Sequence, residues 1–204
     1  MKARAAAGTP KPRPRSDAFP REVRVIGGAW KRSKLPVGDR PGLRPTPDRV
    51  RETLFNWLGQ TLDGWRCVDA FAGSGALGFE AASRGAAEVI LLERDPTLVA
   101  SLQATRQRLH AETVRVERAD ALQWLARAAP SSIDLVFLDP PFDSALLAPA
   151  LAAAARVVRG EGLVYVEGPL PVSPDAAAPL GLAEWRSGRA GAVHFQLLRK
   201  DTTG

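Results

Sequence analysis

Cysteine is nearly absent from this chain, and that scarcity removes whole classes of function. The one thiol, Cys67, lies in an apolar run with no second cysteine to pair with, so no disulfide framework and no oxidising compartment are implied. Histidine is almost as scarce. His110 and His194 together with Cys67 cannot complete a four-ligand zinc site unless carboxylates join them, and no metal is expected. Long apolar runs are missing as well: none reaches the roughly 20 residues that a membrane-spanning helix needs. The N-terminus is basic but lacks the apolar stretch of a secretory signal. The expectation is a cytoplasmic protein with no membrane partner, acting as a monomer.

What is present suits a soluble enzyme-sized unit. The 204 residues, 45% apolar and 25% charged, suffice for one globular core with a short appendage. The net charge of +6 is unevenly placed. Residues 1–51 hold 14 Lys/Arg against 4 Asp/Glu, whereas residues 52–204 hold 14 against 18. Positive charge gathered at one end suits a segment that meets phosphates; a merely solubilising tail is the alternative for the first 18 residues.

Residues 1–20 are rich in Pro, Ala and basic side chains and read as a disordered basic arm. Residues 21–62 read as a hairpin and helix extension, and 63–204 as the main domain. In the extension, Val23, Val25 and Ile26 suggest a strand, Gly27-Gly28 a turn, and Ser33 to Val37 a return strand. Thr46-Pro47-Asp48 reads as a helix start, with Thr46 as its cap and Pro47 in its first turn. Val50, Leu54, Trp57 and Leu58 then mark one apolar face, leaving Arg49, Arg51 and Glu52 off it.

Beyond Trp65, strand candidates (66–71, 88–92, 114–118, 133–138 and 162–167) alternate with helical ones (76–84, 97–109, 121–128 and 146–159). That alternation predicts an α/β fold, a mostly parallel sheet with helices on both faces. Residues 182–186 and 192–199, flanking Gly188 and Gly191, predict an antiparallel pair at its edge, which brings the sheet to seven strands.

Four features fall at successive predicted strand ends, where open α/β sheets bind ligands. In Asp69-Ala70-Phe71-Ala72-Gly73-Ser74-Gly75, Gly73 and Gly75 let the backbone approach a ligand closely. Asp69 can bond a ligand ammonium or a nearby amide, which favours a ligand with an amino-acid end over a pyrophosphate. Glu93, twenty residues beyond the glycine turn, can accept from vicinal ribose hydroxyls. Asp120-Ala121 can meet an adenine amino group, although Asp120 is equally a good helix cap. The fourth feature is Asp139-Pro140-Pro141-Phe142. Its prolines stiffen the backbone, the Asp139 side chain and Pro140 carbonyl can accept the two hydrogens of an exocyclic amine, and Phe142 offers a stacking face for a base.

Asp139–Phe142 resembles motif IV of the amino-methyltransferases, and Asp69–Gly75 their motif I, with Glu93 and Asp120 at the next two motif positions. These motifs are shared by adenine-N6, cytosine-N4 and guanine-N2 enzymes and do not name the base. Arg24-Val25-Ile26-Gly27-Gly28 with Trp30-Lys31, Gly42–Thr46, Asp48–Leu58, and Phe71–Gly78 with Glu80-Ala81 and Ser83-Arg84 resemble the RsmD family. The resemblance covers about residues 22–170, and at position 142 this chain has Phe where Tyr is commoner.

It implies a Rossmann-like class I methyltransferase fold that transfers a methyl group from S-adenosylmethionine to guanine N2 in 16S ribosomal RNA of the small subunit or its assembly intermediate. By the same resemblance Asp69, Phe71, Gly73, Gly75, Glu93, Asp120, Ala121 and Thr46 bind the cofactor. Asp139, Pro140 and Phe142 act at the base, with Asp139 either taking the proton or only orienting the amine. Arg24, Lys31, Arg32, Lys34, Arg40, Arg44, Arg49 and Arg51 are the candidate RNA contacts. A DNA adenine-N6 methyltransferase and a non-catalytic RNA-binding assembly factor on the same fold are the rival readings. A nicotinamide oxidoreductase is disfavoured by the Pro-Pro motif.

Overall fold

The computed structural model describes residues 22–38, 46–141 and 145–202. The basic arm, Arg40, Arg44 and Phe142 therefore lie outside the described residues. Strands β1 (Glu22–Arg24) and β2 (Lys34–Pro36) form the expected antiparallel hairpin, with Val23 opposite Leu35. Both side chains are buried. The hairpin is followed by helix α1 (Asp48–Leu58).

The main body runs β3 (Arg66–Asp69), α2 (Ala76–Ser83), β4 (Glu88–Glu93), α3 (Pro96–Arg108), β5 (Val114–Arg118), α4 (Ala121–Arg127), β6 (Ile133–Leu138), α5 (Leu147–Val157) and β7 (Val158–Gly168). It closes with the short helix α6 (Pro174–Ala177), a single 3-10 turn, and strands β8 (Leu182–Ala190) and β9 (Val193–Lys200). The seven strands order β5-β4-β3-β6-β7-β9-β8, parallel from β5 through β7 and antiparallel at β9 and β8. The chain winds outward from β3 in one direction and then crosses back to β6 on its other side. The β3–β6 boundary is thus the switch point, where carboxyl-end loops diverge and leave a crevice.

Apolar side chains cover both faces of the sheet, which explains why its strands read as unbroken apolar runs. On one face Phe137 and Tyr165 pack with Leu54 and Phe55 of α1, Phe79 of α2 and Leu102 of α3. On the other, Val68, Val136 and Val164 pack with Leu125 of α4 and the small residues Ala150 and Ala154 of α5. The hairpin residues Val23, Val25 and Leu35 belong to the first of these clusters, so the extension shares the main core.

Three expectations are corrected. Thr46 does not cap α1: Pro47 holds the cap position without a side-chain bond, and the Thr46 hydroxyl points elsewhere. Arg51 is not off the buried face but wholly inside. Residues 51, 55 and 58 recur at i, i+4 and i+7, a second stripe beside Val50 and Leu54, because α1 is covered on two sides. Gly188 is not in the edge turn but inside β8, opposite Phe195, whose ring fills the space a side chain would need. The turn is at Gly191, with φ 61°.

Candidate active site

The loops after β3 and β6 leave the sheet side by side. Asp69 stands in register with Phe137, and the Ala70 amide donates to the Phe137 carbonyl at 3.1 Å. The Asp139-Pro140 segment therefore begins immediately after a strand that is hydrogen-bonded to the start of the glycine turn.

In that turn the Asp69 carboxylate accepts from the Gly78 amide at 3.0 Å. Of the two partners foreseen for it, the structure shows the amide: Asp69 closes the loop onto the first turn of α2. Gly75 has φ 75°, and a side chain there would meet Phe79 and Leu102 at about 2.7 Å. Only glycine holds this conformation in this space. The Gly73 amide donates to Glu93 at 3.0 Å, while the other oxygen of Glu93 accepts from the Arg94 and Asp95 amides. Glu93 thus ties the glycine turn to the end of β4. Asp120 caps α4 through the Gln123 amide at 3.0 Å and lies 3.6 Å from Arg94, with Ala121 buried behind it. Phe71 is half-buried over the second core.

At the end of β6, Asp139 is half-buried, Pro140 is buried, and Pro141 is exposed. The Thr46 hydroxyl donates to Asp139 at 3.5 Å. A second carboxylate, unmarked by the sequence reading, stands beside it. Glu167, near the end of β7, is only 3% exposed and accepts from the Tyr165 hydroxyl at 2.8 Å. Thr46 also lies against it. Its position at the end of a predicted strand next in order after Asp139 was the available signal.

These carboxyls share a poorly solvated space. Burial, and then the nearby Glu93 and Glu167, push the Asp69 carboxyl up to about 7 against the pull of the Gly78 amide. Burial followed by the charges of Glu167 and Asp69 raises Asp139 well above the carboxylate range, with the Thr46 bond opposing. Burial also raises Glu167, opposed by its bonds to Tyr165 and Thr46 and by the Arg51 charge.

Among the residues expected to meet RNA, Arg24, Lys31, Arg32, Lys34 and Arg49 are exposed. Arg51 is not. Its guanidinium bonds Asp48 at 2.6 Å and the carbonyls of Arg24 and Thr46, and lies 3.8 Å from the buried Glu80. Glu80 in turn accepts from the Ile26 and Gly27 amides at 2.7 and 2.8 Å and from Arg84 at 2.8 Å. Gly28, with φ 73°, brings the hairpin so close to α2 that a side chain would run into the Ser83 carbonyl. Ser83 then bonds both the Gly27 carbonyl and the Trp30 amide. Among the described residues no cluster of His, Cys, Asp and Glu is arranged to hold a metal, and no helix is long and apolar enough to cross a membrane.

The family model described as conserved hypothetical protein 95 matches residues 23–199. Ribosomal RNA small subunit methyltransferase D of Escherichia coli is 42% identical over 189 residues, 90% of this chain and 92% of that one. The chain belongs to the RsmD family. The Haemophilus influenzae member is 44% identical over 72% of this chain and 78% of its own length. A solved Escherichia coli methyltransferase structure superposes with a TM-score of 0.77 at 37% identity, covering 89% of this chain and 99% of that one. The seven-stranded sheet with its antiparallel β7-β9-β8 edge is the class I methyltransferase fold, as the RsmD resemblance implied.

Proposed function

We propose that this RsmD-family protein transfers a methyl group from S-adenosylmethionine to the exocyclic N2 of a guanine in 16S ribosomal RNA. Its substrate is the small ribosomal subunit or an assembly intermediate, and it works as a monomer in the cytoplasm. The observation that carries this reading is the β3–β6 pairing, which brings Asp139-Pro140 beside the turn of Gly73 and Gly75. Residues of the site fit a sulfonium cofactor. The turn runs through Gly73 and Gly75 at positive φ, Glu93 and Asp120 stand at or just past the next strand ends, and the carboxyl-rich interior suits a cation.

When bound, the cofactor supplies an electrophilic methyl carbon on a cationic sulfur. Glu93 is placed to exchange the Gly73 amide for ribose hydroxyls, and Asp120 to meet the adenine amine. Asp139 and the Pro140 carbonyl take the two hydrogens of N2, directing its lone pair toward the methyl group. On accepting the methyl group N2 would shed a proton, which Asp139, its carboxyl raised above the usual carboxylate range first by burial and then by Glu167 and Asp69, would take up. Phe142 is placed by sequence to stack on the base. Arg24, Lys31, Arg32, Lys34 and Arg49, with Arg40 and Arg44, hold the phosphates.

The test is mass mapping of ribosomal RNA from cells with and without the protein, together with methyl transfer in vitro to small-subunit particles and to naked DNA. One N2-methylguanine that disappears with the protein is expected. Methylated adenine in DNA, or cofactor binding without transfer, would refute the reading.

A further inference from the structure

Beside the Asp139 loop opens a pocket of about 280 Å³, with room for one base. Its walls are apolar, with Pro140, Pro141, Leu147, Leu170 and Val172 among them, and among the described residues that line it Glu167 alone is ionisable. Leu170, held between Pro169 and Pro171, is 73% exposed on the lip. Glu167 is not free to wander. The Tyr165 hydroxyl fixes one oxygen at 2.8 Å, and Thr46 lies against the same carboxylate as it reaches Asp139. Nothing in the transfer of a methyl group requires this second buried carboxylate. An amine could be oriented by Asp139 and the Pro140 carbonyl alone.

We infer that Glu167 is the residue that makes this pocket select guanine, its carboxylate accepting the ring N1–H while Asp139 accepts one N2 hydrogen. This rests on the proposed methylation of a guanine amine. On the edge of guanine, N1–H and N2–H₂ are adjacent donors, and two carboxyls side by side are their complement. Adenine and 2,6-diaminopurine present a lone pair at N1, which would face the carboxylate with nothing to share. Burial makes that mismatch expensive, because the displaced water is not recovered. The Tyr165 hydroxyl and the nearby Arg51 both favour the ionised form of Glu167, the form that accepts from N1–H.

The test compares small-subunit particles carrying guanine or 2,6-diaminopurine at the nucleotide that the native enzyme methylates. Both bases bear an N2 amine; they differ at N1 and at position 6. The native protein should prefer guanine by roughly 10²-fold or more in kcat/KM. In Glu167→Gln, whose amide can donate to a bare N1, the preference should shrink to about tenfold or less, with cofactor affinity unchanged. A purely structural role for Glu167 would slow both substrates equally and leave the ratio alone. An unchanged ratio in the variant, or a native protein indifferent to the two bases, overturns the inference. If Glu167→Gln does not fold, Tyr165→Phe frees the same carboxylate and should narrow the ratio several-fold; an unaltered ratio there overturns it equally. Should the native protein leave guanine particles unmethylated, the proposed function itself fails, a result distinct from either outcome.

Discussion

Two groups of buried carboxylates in this molecule are treated in opposite ways. Glu80 is fully enclosed but surrounded by opposite charge and donors: Arg84, Arg51 and the Ile26 and Gly27 amides. Asp69, Asp139 and Glu167 instead gather at neighbouring strand ends: burial raises the proton affinity of all three, acidic neighbours add to it at Asp69 and Asp139, and Arg51 opposes it at Glu167. The first arrangement neutralises a charge to hold two pieces of chain together. The second leaves charge unbalanced where a cationic ligand and an amine can balance it. Burial alone does not distinguish a structural acid from a chemical one; the company it keeps does.

The sharpest way to break this contrast is to remove Glu80. Glu80→Ala strands the buried Arg84 guanidinium and the Ile26 and Gly27 amides, and should cost about 3–5 kcal/mol of stability by urea unfolding, because an unpaired interior charge is left behind. Asp139→Ala should do the reverse. Stability should hold, while methyl transfer to small-subunit particles falls by about 10³-fold, in line with removing a positioning contact made at the reacting atoms. Cofactor affinity measured by calorimetry should survive, and its loss would reassign the residue.

The pH dependence sharpens the comparison. Asp69 keeps its proton in the fold up to about 7, against 3.8 ordinarily, so the folded chain holds more protons than the unfolded one between those values. Stability from this group therefore falls as pH rises through that window and levels off above it. Asp69→Asn should gain stability relative to the native protein at pH 8 compared with pH 5; an equal difference at both values would contradict the assignment. Smallest of all, Arg49→Ala should reduce the salt slope of RNA binding by about one, with little change in unfolding. Arg51→Ala, by contrast, should unfold the protein more readily, since its charge is spent inside.

Much of this was legible from residues. The strand ends at or beside Asp69, Glu93, Asp120 and Asp139 fall within two residues of where alternation placed them, and β5 and β6 match their expected limits residue for residue. The parts that escaped share one physical cause. Arg51, Glu80 and Glu167 are charged, and a periodic reading assigns charged positions to solvent. What buries them lies far off in sequence: Arg51 meets the carbonyl of Arg24, and Glu80 meets the amides of Ile26 and Gly27. Thr46, named among the site residues, was misread as a helix cap for a related reason, since its neighbours Pro47 and Asp48 fit a helix start while its hydroxyl serves Asp139, 93 positions later.

The seam between the hairpin and α2 bears on how such a protein can be altered or evolve. Anyone hoping to retarget it by swapping the first strands for those of another methyltransferase would orphan Glu80 and Ser83 on the half left behind. The hairpin is stitched in, not plugged in, and its exchange would have to carry those two helix residues along with it.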